Sequence, residues 1–235
     1  MEIIPIKTRI FKENDDLFGF LRANLPLLKS GDIVVVTSKI VALAQGRTVL
    51  FSPKAKYKWI KKESDQIIKT PWAYLTLREK RWCVSAGIDE SNGRGRLIFL
   101  PNAPFSVAKN LQKKLKKFYG RKKIGVLITD TRSTPLRAGV IGSTLAYFGF
   151  SPMKDYVGKK DLFGRKFKFV KSNIVDALAA AAGVTMGEGA ERKPIAVIRN
   201  SNVYFTQKKQ SLAKVLIRPE KDLYRFIYRR IRSTS

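Results

Sequence analysis

The stretch Gly31-Asp32-Ile33-Val34-Val35-Val36-Thr37 decides the fold class. A Gly-Asp turn leads into a run that is apolar at every position rather than at alternate ones. Such a run predicts a strand covered on both faces, with helices packed above and below the sheet. Ser38-Lys39 then leads out of the strand toward Gly46-Arg47. Three more runs have the same character: Leu97-Ile98-Phe99-Leu100, Ile124-Gly125-Val126-Leu127-Ile128 and Ile195-Ala196-Val197-Ile198. Ile3 to Ile6 reads as a first strand, ended by Lys7-Thr8-Arg9.

Helical patterns lie between these runs. Asp15-Asp16 can cap a helix with Leu17, Phe20, Leu21 and Leu25 on its apolar face, ended by Pro26. Residues 54–70 are Lys-rich, and Trp59, Ile60, Ile67 and Ile68 predict a surface helix stopped by Pro71. Ser106 can cap a helix carrying Ala108, Leu111, Leu115 and Phe118. Asn173 to Met186 contains four consecutive alanines, a thin helix suited to close packing, with Gly187 placed to end it. From Asp222, the residues Leu223, Phe226, Ile227 and Ile231 have helical spacing. Arg132 to Arg165 is the clearest loop-rich zone. Strands alternating with helices give an α/β or α+β class with a mixed β-sheet.

Composition narrows the chemistry. The 235 residues suit one large domain, or one domain with a small appendage. They carry 47 Lys+Arg against 18 Asp+Glu, a formal charge of +29. Such a chain attracts anions, although a Lys-rich solvated surface explains the excess equally well. The absence of histidine excludes Ser-His-Asp and Cys-His catalysis and His-ligated zinc. Cys83 is the sole cysteine, so no intrachain disulfide forms; its apolar surroundings suit a small buried hydrophobe. No secretory leader is apparent and no run is long enough to span a bilayer, so the expectation is a cytoplasmic protein without a membrane partner.

Against this basic background, acids recur in short turn-like motifs. Asp130 follows the apolar run 124–128 and precedes Thr131. A carboxylate at a strand end faces the crevice where α/β folds bind ligands, and the pair could hold a magnesium-type ion on phosphate. The plainer alternative is a turn or cap residue. Asp89 lies in Ala86-Gly87-Ile88-Asp89-Glu90-Ser91-Asn92, where an Asx-type turn is the plainer reading and Asn92 is free to contact a base or phosphate. Glu188 stands between Gly187 and Gly189, whose backbone amides could cradle phosphate. Arg137, in the loop after Asp130, is a candidate to stabilise phosphoryl charge or simply an exposed Arg. Asp161-Leu162-Phe163-Gly164-Arg165 reads better as a β-turn than as a substrate contact. The lysine runs at 113–117 and 121–123 read as solvated faces, with nucleic-acid binding the sharper but less favoured alternative.

In combination and order these motifs resemble the coenzyme F420-0:L-glutamate ligase family. The matching stretches are GDIVVVTSKIV (31–41), AGIDESN (86–92), VLITDTRSTPLRAGVIG (126–142), VGKKDLFGR (157–165) and VDALAAAAGVTMGEG (175–189). The resemblance implies an α+β ligase fold over residues 1–200, assembled as a homodimer; residues 201–235 read as a basic segment ending in an amphipathic helix packed on the same domain. It also implies a GTP-dependent ligase that forms an acyl phosphate on a small anionic acceptor and passes it to L-glutamate. Mg2+ or Mn2+ is the implied metal, with K+ a further candidate cation. Carried over by position, Asp89 and Asp130 match metal ligands and Thr131 and Glu188 match ligands of a second metal. Asn92 matches a nucleotide contact, and Gly187 and Gly189 match the phosphate-side loop.

Several positions depart from the family pattern. Where the family usually reads Ser-Lys-Ala-Glu-Gly-Arg, this chain has Ala42-Leu43-Ala44-Gln45-Gly46-Arg47. A nucleotide-contacting lysine is thus replaced by Leu43, leaving Lys39 or Arg47 as its candidate substitute. Three functional readings follow. The first is ligation of glutamate to F420-0, and the second is the same ligation on a folate, peptide or protein acceptor. The third is a non-catalytic basic scaffold that binds RNA or another polyanion.

Overall fold

A computed structural model describes residues 1–226. In chain order the strands and α-helices are β1 (Glu2–Ile6), α1 (Leu17–Asn24), β2 (Asp32–Thr37), α2 (Ser38–Ala44), β3 (Thr48–Leu50), α3 (Pro53–Lys62), β4 (Gln66–Lys69), β5 (Tyr74–Arg78), β6 (Arg81–Val84), β7 (Arg96–Ile98), α4 (Pro104–Tyr119), β8 (Ile124–Ser133), β9 (Val140–Phe148), β10 (Met153–Asp155), β11 (Lys171–Asn173), α5 (Ile174–Met186) and β12 (Ile195–Arg199). The class is α+β. The central sheet has the order β1-β12-β2-β8-β9, and among its pairs only β2–β8 is parallel.

The apolar run in β2 is covered on both faces, as its composition predicts. Side chains alternate across a strand, so Val34 and Val36 enter one core and Ile33 and Val35 the other. The first core takes α1, α2 and α4 through Phe20, Leu21, Ile40, Leu111 and Leu115. The second takes α5 through Val175, Ala179, Ala182 and Met186. The alanines let α5 approach closely: a Cβ on Gly142 of β9 would lie 2.4 Å from the Ala179 carbonyl oxygen. A third, smaller core under α3 joins Ile60, Ile88, Leu97 and Phe99 and holds the β4-β5-β6 sheet to the body.

Several local expectations are corrected. The helix predicted over 54–70 ends at Lys62, and Ile67 and Ile68 instead form β4, paired with Thr76 and Leu75. Two adjacent β-branched residues favour a paired strand over continued helix. The segment leaving β2, for which the sequence reading gives no element, is helical, since α2 begins at once at Ser38. Helix α4 starts at Pro104 rather than after Ser106, because proline suits the first helical turn. The loop-rich zone 132–165 contains β9, which is longer than β2; β8 and β9 form a hairpin whose Gly-, Ser- and Thr-containing arms hide its strand character. Asp130 is correspondingly inside β8, two residues past a register shift at Ile128/Thr129, and not at the strand's end. Asp16 does cap α1, accepting from Phe18 and Gly19 N–H, and Gly187 does end α5 at φ +80°.

After β12, Val203, Phe205 and Val215 pack against the second core. Phe205 bridges Phe150, the Tyr147 hydroxyl donates to the Ser211 carbonyl at 3.2 Å, and Gln112 reaches Gln207. Most of the helix predicted from Asp222, including Ile227 and Ile231, falls outside the described residues. Among the described residues no helix is long and apolar enough to cross a membrane.

Candidate active site

β2 and β8 run parallel, and their carboxyl ends open side by side, the usual place for ligands in sheets of this kind. A cavity of about 460 Å³ lies there. β2 supplies Thr37 and passes directly into α2, which brings Ser38 and Lys39; β8 supplies Thr129, Asp130 and Thr131. The loop after β6 adds Asp89 and Asn92, and the end of α5 adds Gly187, Glu188 and Gly189. Residues separated by more than a hundred positions in the chain thus share one cavity.

Two networks hold these groups. The Ser38 hydroxyl donates to Asp130 Oδ1 at 3.1 Å. The Lys39 ammonium lies 2.7 Å from Asp89 Oδ2 and donates to the Ser91 carbonyl and hydroxyl oxygens at 3.0 Å. Ser91 in turn donates its N–H and hydroxyl to Asp89 at 2.7 and 2.9 Å, the Asx-type turn expected from the sequence. Asn92 adopts φ +57° and donates its side-chain amide to the Gly189 carbonyl at 3.3 Å, joining the two loops across the cavity.

The carboxylates are unequally compensated. Burial pushes the Asp130 carboxyl above the usual range, and the nearby Asp89 charge adds to the rise; the Thr131 N–H and the Ser38 hydroxyl oppose it. Burial also acts against the Asp89 charge, but Lys39 and Ser91 more than offset it, so Asp89 is held below the usual range. Glu188 is an exposed residue whose carboxyl nevertheless lies 3.9 Å from the position of a Cβ on Gly183, over the last turns of α5. Partial burial raises it, and Asp130, Glu191 and Asp89 raise it further.

Hard oxygen donors that repel one another around a cavity fit a divalent cation in chemistry and charge. Among the described residues no three His, Cys, Asp or Glu side chains stand close enough to form a ready-made ion cage. The donors face one another, and Lys39 is the cation beside Asp89.

The structure therefore brings together Lys39, Asp89, Asn92, Asp130, Thr131, Gly187, Glu188 and Gly189. It leaves Arg137 on the exposed turn between β8 and β9, outside the cavity lining. Asp161 accepts from the Phe163 and Arg165 N–H groups and closes a surface turn, as its sequence suggests. Leu43 lines the cavity beside Ile10, Phe11 and Ile40. Of its two candidate substitutes, Lys39 reaches the cavity. Arg47 does not: it pairs with Glu63 at 3.2 Å, stacks 5.0 Å from the Phe99 ring centroid and donates to Leu100. Gln45 is also occupied elsewhere, bonding both ways with the Asn102 backbone.

Sequence reasoning missed Ser38, Arg94, Glu191, Arg192 and Lys193 as cavity residues. Ser38 had a usable signal, a hydroxyl immediately after an apolar strand. Glu191 had a weaker one, an acid two residues beyond Gly189. The cations had none, being indistinguishable from the many surface cations of the chain.

Comparison with known proteins agrees with the motif order. The profile of the family described as F420-0:Gamma-glutamyl ligase matches residues 5–55 and 51–200. Relatives named Coenzyme F420:L-glutamate ligase include one from Archaeoglobus fulgidus, 32% identical over 86% of this chain and 89% of the relative. Another, from Methanocaldococcus jannaschii, is 31% identical over 96% of this chain and 97% of the relative. A third, from Methanosarcina mazei, is 31% identical over 84% and 85%. The chain belongs to the F420-0:gamma-glutamyl ligase family.

Proposed function

We propose that this chain joins L-glutamate to the carboxylate of F420-0, using GTP and a divalent cation. The observation that carries the reading is the convergence of Asp89, Asp130 and Glu188 on one cavity with Lys39 and the Gly187–Gly189 loop. In the proposed sequence a carboxylate oxygen of the acceptor attacks the γ-phosphorus of GTP, and the bond to GDP breaks. The glutamate nitrogen then attacks the acyl carbon, loses a proton and expels inorganic phosphate.

Asp89 and Asp130 would hold Mg2+ or Mn2+, with Thr131 and Glu188 completing a second position; a bound ion supplies neutralisation of phosphoryl charge. The chain's own groups do the positioning. Lys39 stands where it can turn from Asp89 to a phosphate oxygen, and Ser38 fixes the orientation of the Asp130 carboxylate. The glycine loop can offer the Gly189 N–H, the Gly187 N–H being held by the Gly183 carbonyl, and Asn92 ties that loop to the Asp89 turn. No imidazole is needed, in keeping with a chain that has none. The same reading expects a homodimer, which light scattering would show.

Purified protein with F420-0, GTP, Mg2+ and L-glutamate should yield a product heavier by one glutamyl unit, together with GDP and phosphate. Phosphate release that is indifferent to acceptor and glutamate would overturn the reading. A second reading keeps the chemistry but changes the acceptor to a folate, peptide or protein carboxylate. It is favoured by the apolar wall that Leu43 forms with Ile10, Phe11 and Ile40. Mass spectrometry of a panel of acceptors separates the two.

A further inference from the structure

The glycine loop already holds an anion, and it is one of the chain's own. The Gly189 N–H donates to Glu191 Oε2 at 2.8 Å. A Cβ on Gly187 would lie 2.4 Å from Glu191 Cδ and 2.5 Å from Oε1, and one on Gly189 would lie 3.4 Å from Oε2. The carboxylate thus rests against both glycines, in space that any side chain at 187 would take. Gly187 has φ +80°, a backbone conformation that favours glycine, so the loop is built for this close approach.

The carboxylate stands among others of its kind. It lines the same cavity as Asp89, Asp130 and Glu188. Among the described residues it makes no ion pair, while Arg192 and Lys193 beside it line the cavity without an acidic partner. A carboxylate kept among other carboxylates, on a backbone donor that any oxyanion could use, is poised for exchange.

We propose that Glu191 is a resident placeholder: it occupies the oxyanion position of the Gly187–Gly189 loop, and a terminal phosphate must displace it to bind. The inference rests on the nucleotide reading above. It goes further by assigning Glu191 to competition with the ligand rather than to holding it. Its consequence is quantitative. The affinity of the loop is lowered by the fraction of molecules in which Glu191 fills it, so occupancy of about nine-tenths weakens binding about tenfold.

The test is calorimetric titration of the full-length protein and its Glu191→Ala and Glu191→Gln variants with GTP and with inorganic tripolyphosphate. Each titration is run in excess Mg2+ and again in chelator, and melting temperatures confirm folding. Glu191→Ala should bind both probes about tenfold tighter in both conditions. Glu191→Gln, which keeps an acceptor but loses the charge, should show a smaller gain and covers the case of an unstable alanine variant. Unchanged or weaker binding overturns the placeholder while leaving the nucleotide reading intact. Weakening confined to the Mg2+ samples makes Glu191 a cation ligand and also overturns it. If the variants tighten on tripolyphosphate but no protein takes up GTP, the placeholder stands and the nucleotide reading falls. If no protein binds either probe, both fall.

Discussion

The two ends of β2 handle negative charge in opposite ways. At the amino end, Asp32 is 1% exposed, and its two oxygens accept from Arg199 Nε at 3.0 Å and Nη2 at 2.8 Å. The Lys29 N–H adds a third bond at 2.8 Å. Asp32 holds the Arg199 guanidinium above its usual range. At the carboxyl end, Asp130 has the Ser38 hydroxyl and, among the described residues, no ion-pair partner, only the more distant charge of Arg81; it shares a cavity with Asp89 and Glu188. One end satisfies its acid and so fixes the strand. The other leaves negative charge unmet beside open volume, which suits it to a ligand. Active sites commonly carry local interactions that do not favour the folded state.

Three substitutions break or sharpen that contrast. The largest effect on stability is expected at the satisfied end. Asp32→Ala leaves the solvent-reaching Arg199 without its carboxylate and should cost about 1–3 kcal/mol in urea unfolding. A loss below about 1 kcal/mol would mean that the pair fixes nothing.

At the other end the expected pattern is reversed. Asp130→Asn should lower ligation turnover at least about a hundredfold, about 2.7 kcal/mol of activation free energy, without weakening the fold. The sign follows from proton linkage. The folded protein raises the Asp130 carboxyl above its unfolded value, so the folded state binds more protons and stability falls as pH rises through that window. Asn removes the charged form. The variant should therefore melt at or above the wild-type temperature at pH 7, and this advantage should vanish below the ordinary carboxylate range. A clear drop in melting temperature at neutral pH would show that Asp130 is structural.

The smallest effect is expected at Lys39, which bridges the two behaviours by pairing with Asp89 while facing the cavity. Lys39→Gln should raise the half-saturating GTP concentration about tenfold, about 1.4 kcal/mol. It should also release the Asp89 carboxyl toward the ordinary range, because the ammonium holds it down. In the wild type that depressed carboxyl contributes stability above its unfolded value and loses it as pH falls through the folded one. Acid melting curves of the variant should lack this contribution. Unaltered GTP dependence would confine Lys39 to the Asp89 turn.

Much of this was readable in the sequence, for identifiable reasons. The unbroken apolar runs of β2, β8 and β12 report burial on both faces, and the caps at Asp16 and Gly187 report helix ends. Where the local signal was mixed, neighbours decided. Ile67 and Ile68 became strand because Leu75 and Thr76 lay beside them. Ser38 opens a helix, and β9, with its polar and glycine-containing start, was completed by pairing to β8. In the site, the acids stood out because they sit in Gly-, Ser- and Thr-rich turns of a basic chain. Arg192 and Lys193 did not, because composition offers no contrast for one cation among 47.

From the residues alone came a layered α/β or α+β class with a mixed sheet, the absence of imidazole and intrachain disulfide chemistry, and the residue types offered to a ligand. These depend on side-chain chemistry and short-range periodicity, which the linear order carries. Only the tertiary structure decided which charges are met. It sent Arg199 to Asp32, Lys39 to Asp89 and Arg47 to Glu63, and it laid Glu191 against the glycine loop. Coulombic and hydrogen-bonding energies depend on distances of a few ångströms between residues that, apart from Glu191 and its loop, lie far apart in the chain, and only folding sets those distances.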